Sequence, residues 1–395
     1  MQEFQNELLI PHFCFTQILL YNKPMNKKFR VLTSGESHGK CLNAIIDGVP
    51  SNITISVEKI NENLARRQQG YGRGNRMKIE TDKVEIKSGV RHGKTTGAPI
   101  CLEIKNKDYE NWVKVMCPEK IELTKDVLEE LEAKSFTKLR PGHADYAGSV
   151  KYNAKDLRNI LERSSARKTA IEVAVGSIAQ QVLSAFNITG SSCVKRIGTV
   201  EFTGNNEEFE KNIKKEIDSA KEEGTTLGGE VEVTYNNLPI GLGSFVSFDR
   251  AIDGLIAQAV MSIPAIKSVE FGLGKDVAKL KGKQVHDPFY IENGEIKRTS
   301  NNAGGVEGGM TNGEPLIVRA SMKPIPTMRT PLPTVDIKTM ENSQAHFERS
   351  DTCAVHACAV VAEMRVATVL VDEFLSKFGG DSLEEIQAHY RAKYE

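Results

Sequence analysis

Phe29–Thr33 reads as a short strand and Leu42–Ile46 as another, with apolar residues at every second position (Phe29 and Val31, then Leu42, Ala44 and Ile46) and a glycine-containing turn between them. The period then lengthens to that of a helix. Ser56 opens a helix with apolar residues at Val57, Ile60 and Leu64 that runs out at Gln69-Gly70. Leu157, Ile160, Leu161, Ile171, Val175, Ile178 and Val182 recur at helical spacing and predict helix through Asp156–Phe186. Glu207–Glu223 predicts a charged, exposed helix, and Glu230–Tyr235 alternates as a strand. Asp249 is an N-cap for a helix carrying Ile252, Leu255, Ile256, Ala259, Val260 and Ile263, which Pro264 ends. Cys353–Phe378 predicts the last long helix. Between these elements run three long loops: Gly70–Arg76, Asn301–Glu314 and Lys323–Thr334. No short repeat and no low-complexity linker divides the chain, so the pattern predicts one large α/β or α+β unit whose long loops carry binding work.

Composition narrows the function. The 395 residues carry 52 basic and 52 acidic side chains, so no whole-molecule field points to nucleic acid or to an anionic membrane. No stretch approaches the roughly 20 continuous apolar residues of a membrane helix. The seven cysteines are scattered and include no Cys-x-x-Cys pair, which argues against a disulfide framework or a zinc site and for a reducing compartment. We therefore expect a cytoplasmic enzyme without a metal. Residues 1–24 lack the basic start and long apolar run of a secretory signal. Met25 is an equally good beginning, so 1–24 is expected to be a disordered extension or a misassigned start, and 25–395 one domain.

Polar clusters supply the candidate chemistry. Gly35-Glu36-Ser37-His38-Gly39 holds an imidazole in a tight turn at a strand end, suited to proton transfer or simply to a backbone contact. Ser37 is not expected to be a nucleophile. Arg66 to Arg76 packs four arginines among glycines, and guanidinium forks match carboxylate and phosphate oxygens. An anionic small molecule, a nucleic-acid patch and a solvated loop all fit that stretch alone, but Tyr71 is its only aromatic, which weakens the nucleic-acid reading. Arg140-Pro141-Gly142-His143-Ala144-Asp145 adds a second histidine, with Asp145 orienting it or capping the next helix. Glu162-Arg163-Ser164-Ser165-Ala166-Arg167 suits phosphate oxygens or a solvated helix face. Gly304–Gly309 is neither a P-loop nor Gly-x-Gly-x-x-Gly, and the rigid Lys323-Pro324-Ile325-Pro326-Thr327 offers a cation and a hydroxyl in a fixed frame. Asp351 is a helix cap or the partner of Arg349.

Taken together, and in this order from about residue 29 to 360, these seven segments resemble chorismate synthase. The resemblance implies an α+β fold with a β-α-β sandwich core and long active-site loops, assembled as a homotetramer. It implies conversion of 5-enolpyruvylshikimate 3-phosphate to chorismate by 1,4-elimination of phosphate, with reduced FMN required but no net redox change. His38 would protonate the departing phosphate, His143 the anionic reduced flavin, and Asp351 would assist proton movement at flavin N5. Arg67, Arg73, Arg140 and Arg167 would hold the substrate, although Arg67 and Arg73 meet a nicotinamide cofactor in some members. Arg163, Ser164, Ser165, Ala265, Gly308, Lys323, Pro324, Ile325, Pro326, Thr327 and Arg349 would surround FMN. At Pro264-Ala265 some relatives carry Asn-Ala, so only the backbone can substitute for that side-chain hydrogen bond. With no reductase domain visible, NAD(P)H is expected as an indirect reductant through a separate flavin reductase.

Overall fold

The computed structural model describes residues 27–74, 81–347 and 351–394. Its first sheet contains β1 (Arg30–Ser34), β2 (Cys41–Asp47), β3 (Val84–Ser88) and β4 (Ile100–Lys105), all antiparallel, in the order β1-β2-β4-β3. A second antiparallel sheet contains β5 (Thr189–Ile197), β6 (Val200–Glu201), β7 (Gly229–Asn236), β8 (Ile266–Phe271) and β9 (Leu316–Met322), in the order β8-β9-β7-β5-β6. The main helices are α1 (Val57–Gln68), α2 (Lys125–Lys134), α3 (Asp145–Tyr152), α4 (Arg158–Ser164), α5 (Thr169–Ser184), α6 (Asn206–Glu223), α7 (Ile252–Met261), α8 (Val355–Phe378) and α9 (Leu383–Tyr394).

Alternation along the strands dictates the layering. Leu42, Ala44 and Ile46 of β2 and Ile100, Leu102 and Ile104 of β4 bury one face of the first sheet, while Leu32 and Ile45 on the other face are exposed. Val231, Val233 and Tyr235 of β7 and Leu316, Val318 and Ala320 of β9 do the same for the second sheet. Between the two buried faces lie α5, α8 and α1, with α5 against β2 and β4 and α8 against β5 and β7. Both α5 and α8 are apolar nearly all the way round, and only an interior position buries such a helix on every side. The result is the β-α-β sandwich expected from the resemblance, in a mixed helix and sheet domain. No described helix is long and apolar enough to cross a membrane.

One buried acid ties the start of the described chain to its end. Asp372 in α8 is 3% exposed, and its carboxylate accepts the backbone N–H groups of Lys27, Lys28 and Phe29 at 3.1, 2.7 and 2.8 Å. Charge-assisted bonds of this kind offset the desolvation of the carboxylate and seat the fully buried Phe29.

Several element boundaries differ from those the sequence suggests. The helix predicted through Asp156–Phe186 is interrupted at Ser165, whose backbone is extended and whose Oγ accepts the Arg167 N–H. Asp249 lies in a short 3₁₀ turn and does not cap α7, which begins at Ile252 after Ala251 and ends at Met261. The last long helix begins at Val355, leaving Cys353 outside it. Lys323–Thr327 leaves the end of β9 as irregular chain, and the glycine hairpin of Gly304–Gly309 packs on the start of α7, not on that segment. Residues 1–24 and Arg349, both singled out from sequence, lie outside the described residues.

The two central helices touch at Gly176 of α5, where a Cβ would fall 2.3 Å from Cβ and 2.6 Å from the carbonyl oxygen of Met364 in α8. Alanine normally gains about 1 kcal/mol over glycine in a helix interior. Overpacking against an immovable backbone costs about 1–3 kcal/mol and outweighs it here. Gly176→Ala is therefore expected to lower the thermal unfolding midpoint, and a midpoint equal to or above that of the natural chain would refute this close approach.

Candidate active site

A turn that only glycine can make presents the first histidine. Gly35 follows β1 with φ of +101°, and a Cβ there would lie 2.3 Å from the Cys41 carbonyl oxygen as the chain doubles back into β2. His38 on this turn is 8% exposed. Its backbone N–H donates to Glu162 Oε2 at 2.7 Å, and its Nδ1 meets Glu162 Oε1 at 2.8 Å. The turn is further fixed from α4, because Ser37 N–H donates to the Glu162 carbonyl, and Arg163 donates to the carbonyl oxygens of Gly35 and Thr33 and to Thr33 Oγ1. Trp112 stacks on the His38 imidazole with ring centroids 4.0 Å apart.

Next to this turn two predicted arginines meet on one acid. Arg167 donates from Nη1 to both oxygens of Asp82 at 2.7 Å and from Nε to Asn106 Oδ1 at 2.9 Å. Arg67, at the end of α1, comes within 3.6 Å of the same Asp82 and donates to Thr169 Oγ1 and the Ala166 carbonyl. Both arginines are 4% exposed. Asn106 in turn donates to the Glu36 and Gly39 carbonyls, so Arg67, Arg167 and His38 belong to one connected polar cluster.

The second histidine stands in a similar clasp. His143 Nδ1 lies 2.5 Å from Asp145 Oδ1, and Arg140 donates to both Asp145 oxygens at 2.8 Å. Arg140 Nη2 also lies 3.0 Å from His143 Nδ1. A guanidinium can only donate and a carboxylate can only accept, so Nδ1 cannot satisfy both neighbours. The shorter contact decides it: the Nδ1 proton faces Asp145. Burial alone would raise the Asp145 carboxyl, but the hydrogen bonds from Arg140 and His143 outweigh it and hold the group well below the usual carboxylate range.

The Lys323–Thr327 segment adjoins this loop. Lys323 Nζ donates to the Gly142 carbonyl, and a Cβ on Gly142 would lie 3.3 Å from Lys323 Nζ and 3.7 Å from Pro326 Cβ. Burial, with Lys267 nearby, lowers the Lys323 amine from its usual value. The Lys323 N–H donates to the carbonyl of Ala265, which takes a φ of +72°. Ile325 O accepts from Thr226 Oγ1, and Pro324 packs on Gly228. Through Leu227 the same strip reaches Thr352 and Cys353, where Asp351 accepts the Gly74 N–H at 2.6 Å and pairs with Arg73 Nε at 3.2 Å. Asp351 thus joins Arg73 rather than capping α8, whose cap residue is Ala354.

Aromatic rings connect the two histidine clasps. The guanidinium carbons of Arg140 and Arg158 lie 5.2 and 5.1 Å from the centre of Phe136, and that of Arg158 lies 5.0 Å from Trp112. Arg158 Nη1 also stands 3.5 Å from Glu162 Oε1. Other predicted residues turn elsewhere: Ser164 Oγ donates to the Ile160 carbonyl within its own helix, Ser165 Oγ donates to Ser37 Oγ, and Gly308 lies on the hairpin at the start of α7. A cavity of about 900 Å³ is lined by Glu36, Arg158 and Glu162 but by none of Arg67, Arg73, Arg140 or Arg167, so the site is defined by its side chains and not by that cavity.

Sequence reasoning did not assign Glu162, Asp82 or Trp112. Their signals were faint: Glu162 opens the Arg-Ser-Ser-Ala-Arg motif, Asp82 is one of few acids in a basic stretch, and Trp112 is the only tryptophan.

Buried arginines paired with acids, beside two histidines that each turn Nδ1 to a carboxylate, form a set of groups of the kind that enzymes acting on anionic substrates carry. A profile of the chorismate synthase family matches residues 29–375. The chain is 51% identical to chorismate synthase of Caldanaerobacter subterraneus subsp. tengcongensis over 362 residues, covering 91% of this chain and 97% of that protein. It is 50% identical to chorismate synthase of Thermoanaerobacter pseudethanolicus, covering 92% of this chain and 97% of that one. A crystal structure of chorismate synthase superposes with a TM-score of 0.73 at 40% identity, over 93% of this chain and 98% of the other. The chain belongs to the chorismate synthase family.

The Asp145 clasp has a measurable signature. Its carboxyl is depressed in the folded state, so its stabilisation is complete above the unfolded value of about 3.9 and is lost as pH falls toward the folded value. Asp145→Asn should cost about 3–5 kcal/mol at neutral pH by leaving Arg140 without its acid. In denaturant titrations the gap between variant and natural chain should narrow below about pH 4. A gap unchanged from pH 7 to pH 3 would show that Asp145 is not ionised in the clasp.

Proposed function

We propose that this chain is a carbon–oxygen lyase that removes phosphate from 5-enolpyruvylshikimate 3-phosphate by 1,4-elimination, giving chorismate with reduced FMN present and no net redox change. The observation that carries this reading is the convergence of Arg67 and Arg167 on one buried acid beside the acid-held His38. A substrate with two carboxylates and a phosphate needs several fixed guanidinium forks, and a departing phosphate needs a proton donor.

In this reading Arg67, Arg73, Arg140 and Arg167 bind and orient the substrate anions. His38 gives a proton to an oxygen of the departing phosphate. His143, with its Nδ1–H turned to Asp145, would keep Nε2 for proton exchange with the reduced flavin, and Asp351, which holds Arg73, would assist proton movement beside it. FMN would fit at the strip where Lys323 and the neighbouring Lys267 offer cations to a phosphate and Pro326 packs beside Gly142 of the His143 loop, with Ala265 bonded to Lys323. Lys323–Thr327 and Ala265 hold the cofactor there, with Arg163, Ser164, Ser165, Gly308 and Arg349 as further contacts implied by the family. A reduced FMN held there would supply an electron-rich partner for the elimination. The same reading carries a homotetramer, a separate flavin reductase fed by NAD(P)H, a cytoplasmic setting, and residues 25–395 as the catalytic domain with 1–24 as an extension.

The test is anaerobic turnover of 5-enolpyruvylshikimate 3-phosphate with photoreduced FMN, following chorismate and phosphate. Product formed only with reduced flavin is expected, and folded, flavin-binding protein that forms none would overturn the proposal. His38→Ala and His143→Ala should each lower kcat about 10²–10⁴-fold with FMN affinity retained; natural turnover in both would refute their assignment. Arg73→Ala should weaken substrate far more than flavin, and equal weakening of both would move Arg73 to the cofactor.

A further inference from the structure

The Glu162 carboxylate grips one residue at two points, the backbone N–H and the ring Nδ1 of His38, with one oxygen for each. Glu162 is itself 3% exposed, and its own carbonyl takes the Ser37 N–H, so α4 and the histidine turn move as one body. A carboxylate accepts and never donates, which places a proton on Nδ1 and assigns exchange with the site to Nε2. Trp112 covers a face of the imidazole at 4.0 Å, and its indole N–H is held by Asp108 at 3.1 Å. The charged groups around the ring are Glu162 and Arg158 from α4, Glu36 on its own turn, and Lys134 of α2 and Asp108 through Trp112. Of these, Glu162 bonds to the imidazole itself.

We propose that Glu162 is the positioning residue for His38: it fixes the ring on Trp112 with Nδ1–H toward the carboxylate, so that the proton given up travels on Nε2. This rests on the reading of His38 as the acid for the departing phosphate. In that step the Nε2–H bond breaks as an O–H bond forms on phosphate. The electrons of the cleaved carbon–oxygen bond leave with the phosphate, the pair of the C–H bond broken at the other end of the 1,4-elimination forms the new double bond, its proton leaving by the route assigned to Asp351, and the imidazolium is left as a neutral imidazole with its other proton on Nδ1. Glu162 stays ionised throughout. A glutamine at 162 would preserve shape and reverse this logic, because an amide that accepts the His38 backbone N–H turns its NH₂ toward Nδ1 and disfavours a proton there.

The structure also supplies a reporter. Trp112 is the only tryptophan of the chain, and an imidazolium in ring contact quenches indole emission, so intrinsic fluorescence follows the protonation of His38. The experiment titrates the fluorescence of the full chain with pH, as the natural protein, His38→Gln, Glu162→Gln and Glu162→Asp, and measures kcat and KM across the same range. His38→Gln should abolish the transition. Glu162→Gln should shift its midpoint, and the basic limb of kcat, to lower pH by about one to two units, the effect of removing an opposite charge at hydrogen-bond distance. It should lower kcat about 10²-fold with KM nearly unchanged, while Glu162→Asp, which keeps the charge, should recover part of both. Glu162→Gln that titrates and turns over as the natural chain overturns the proposal. So does a loss of kcat with an unmoved transition and no recovery in Glu162→Asp, which would mark a merely structural role. If Glu162→Gln does not fold, Glu162→Asp decides alone: a folded variant whose midpoint and kcat both fall part of the way supports positioning by charge and distance, and one with an unmoved midpoint overturns it whatever its kcat. A natural protein that makes no chorismate but shows the shifted midpoint in Glu162→Gln would sink the proposed reaction and leave the grip of Glu162 on His38 standing.

Discussion

A guanidinium group removed from water must be met by an anion, and that requirement organises the site. Asp82 gathers Arg67 from the end of α1 and Arg167 from the turn before α5, two segments a hundred residues apart in the chain. Asp145 fixes Arg140, and Asp351 fixes Arg73. Removing an acid from such a pair is far more damaging than the net worth of the pair, because a buried charge is left behind. The acids therefore set where the guanidinium forks stand, and five donors per fork leave each arginine able to meet a further oxygen without abandoning its holder.

Proton handling follows from the same carboxylates. Each histidine turns Nδ1 to an acid, Glu162 for His38 and Asp145 for His143, which fixes orientation and tautomer together. The two clasps are not independent, since Arg158 touches Glu162 and Trp112 on one side and shares Phe136 with Arg140 on the other. All of this hangs from loops and short helices on the sandwich, whose apolar layers give those loops rigid ends. Function rides on connections while the strands and the two interior helices supply the frame.

The sandwich was legible where its physics is local. Strand alternation at Leu42–Ile46 and Glu230–Tyr235, the Ser56 cap and the apolar run of α8 follow from period and capping alone. Boundaries set by tertiary contacts were not: the break at Ser165 exists because Arg167 must turn into the Asp82 cluster, and Asp249 loses α7 to the packing of the Gly309 carbonyl on Ile252. The basic residues of the site were visible as clusters, because each gathers arginines or histidines with glycines or hydroxyl residues within a few positions, and seven such clusters stand in one order. Their partners were not. Glu162 lies 124 residues from His38, Asp82 lies 85 from Arg167, and nothing in the local spacing of either acid announces that distance.

The grasp of Asp372 on Lys27, Lys28 and Phe29 closes a loop of more than three hundred residues. β1 pairs with β2 along its length, but the clasp at its start cannot form until the far end of α8 has been made and has taken its place between the sheets. Closure over so long a span is entropically costly and cannot nucleate the fold. The clasp is therefore a contact that joins the two ends of synthesis: β1 is held within its sheet by β2, and its start is held from outside that sheet by the last long helix.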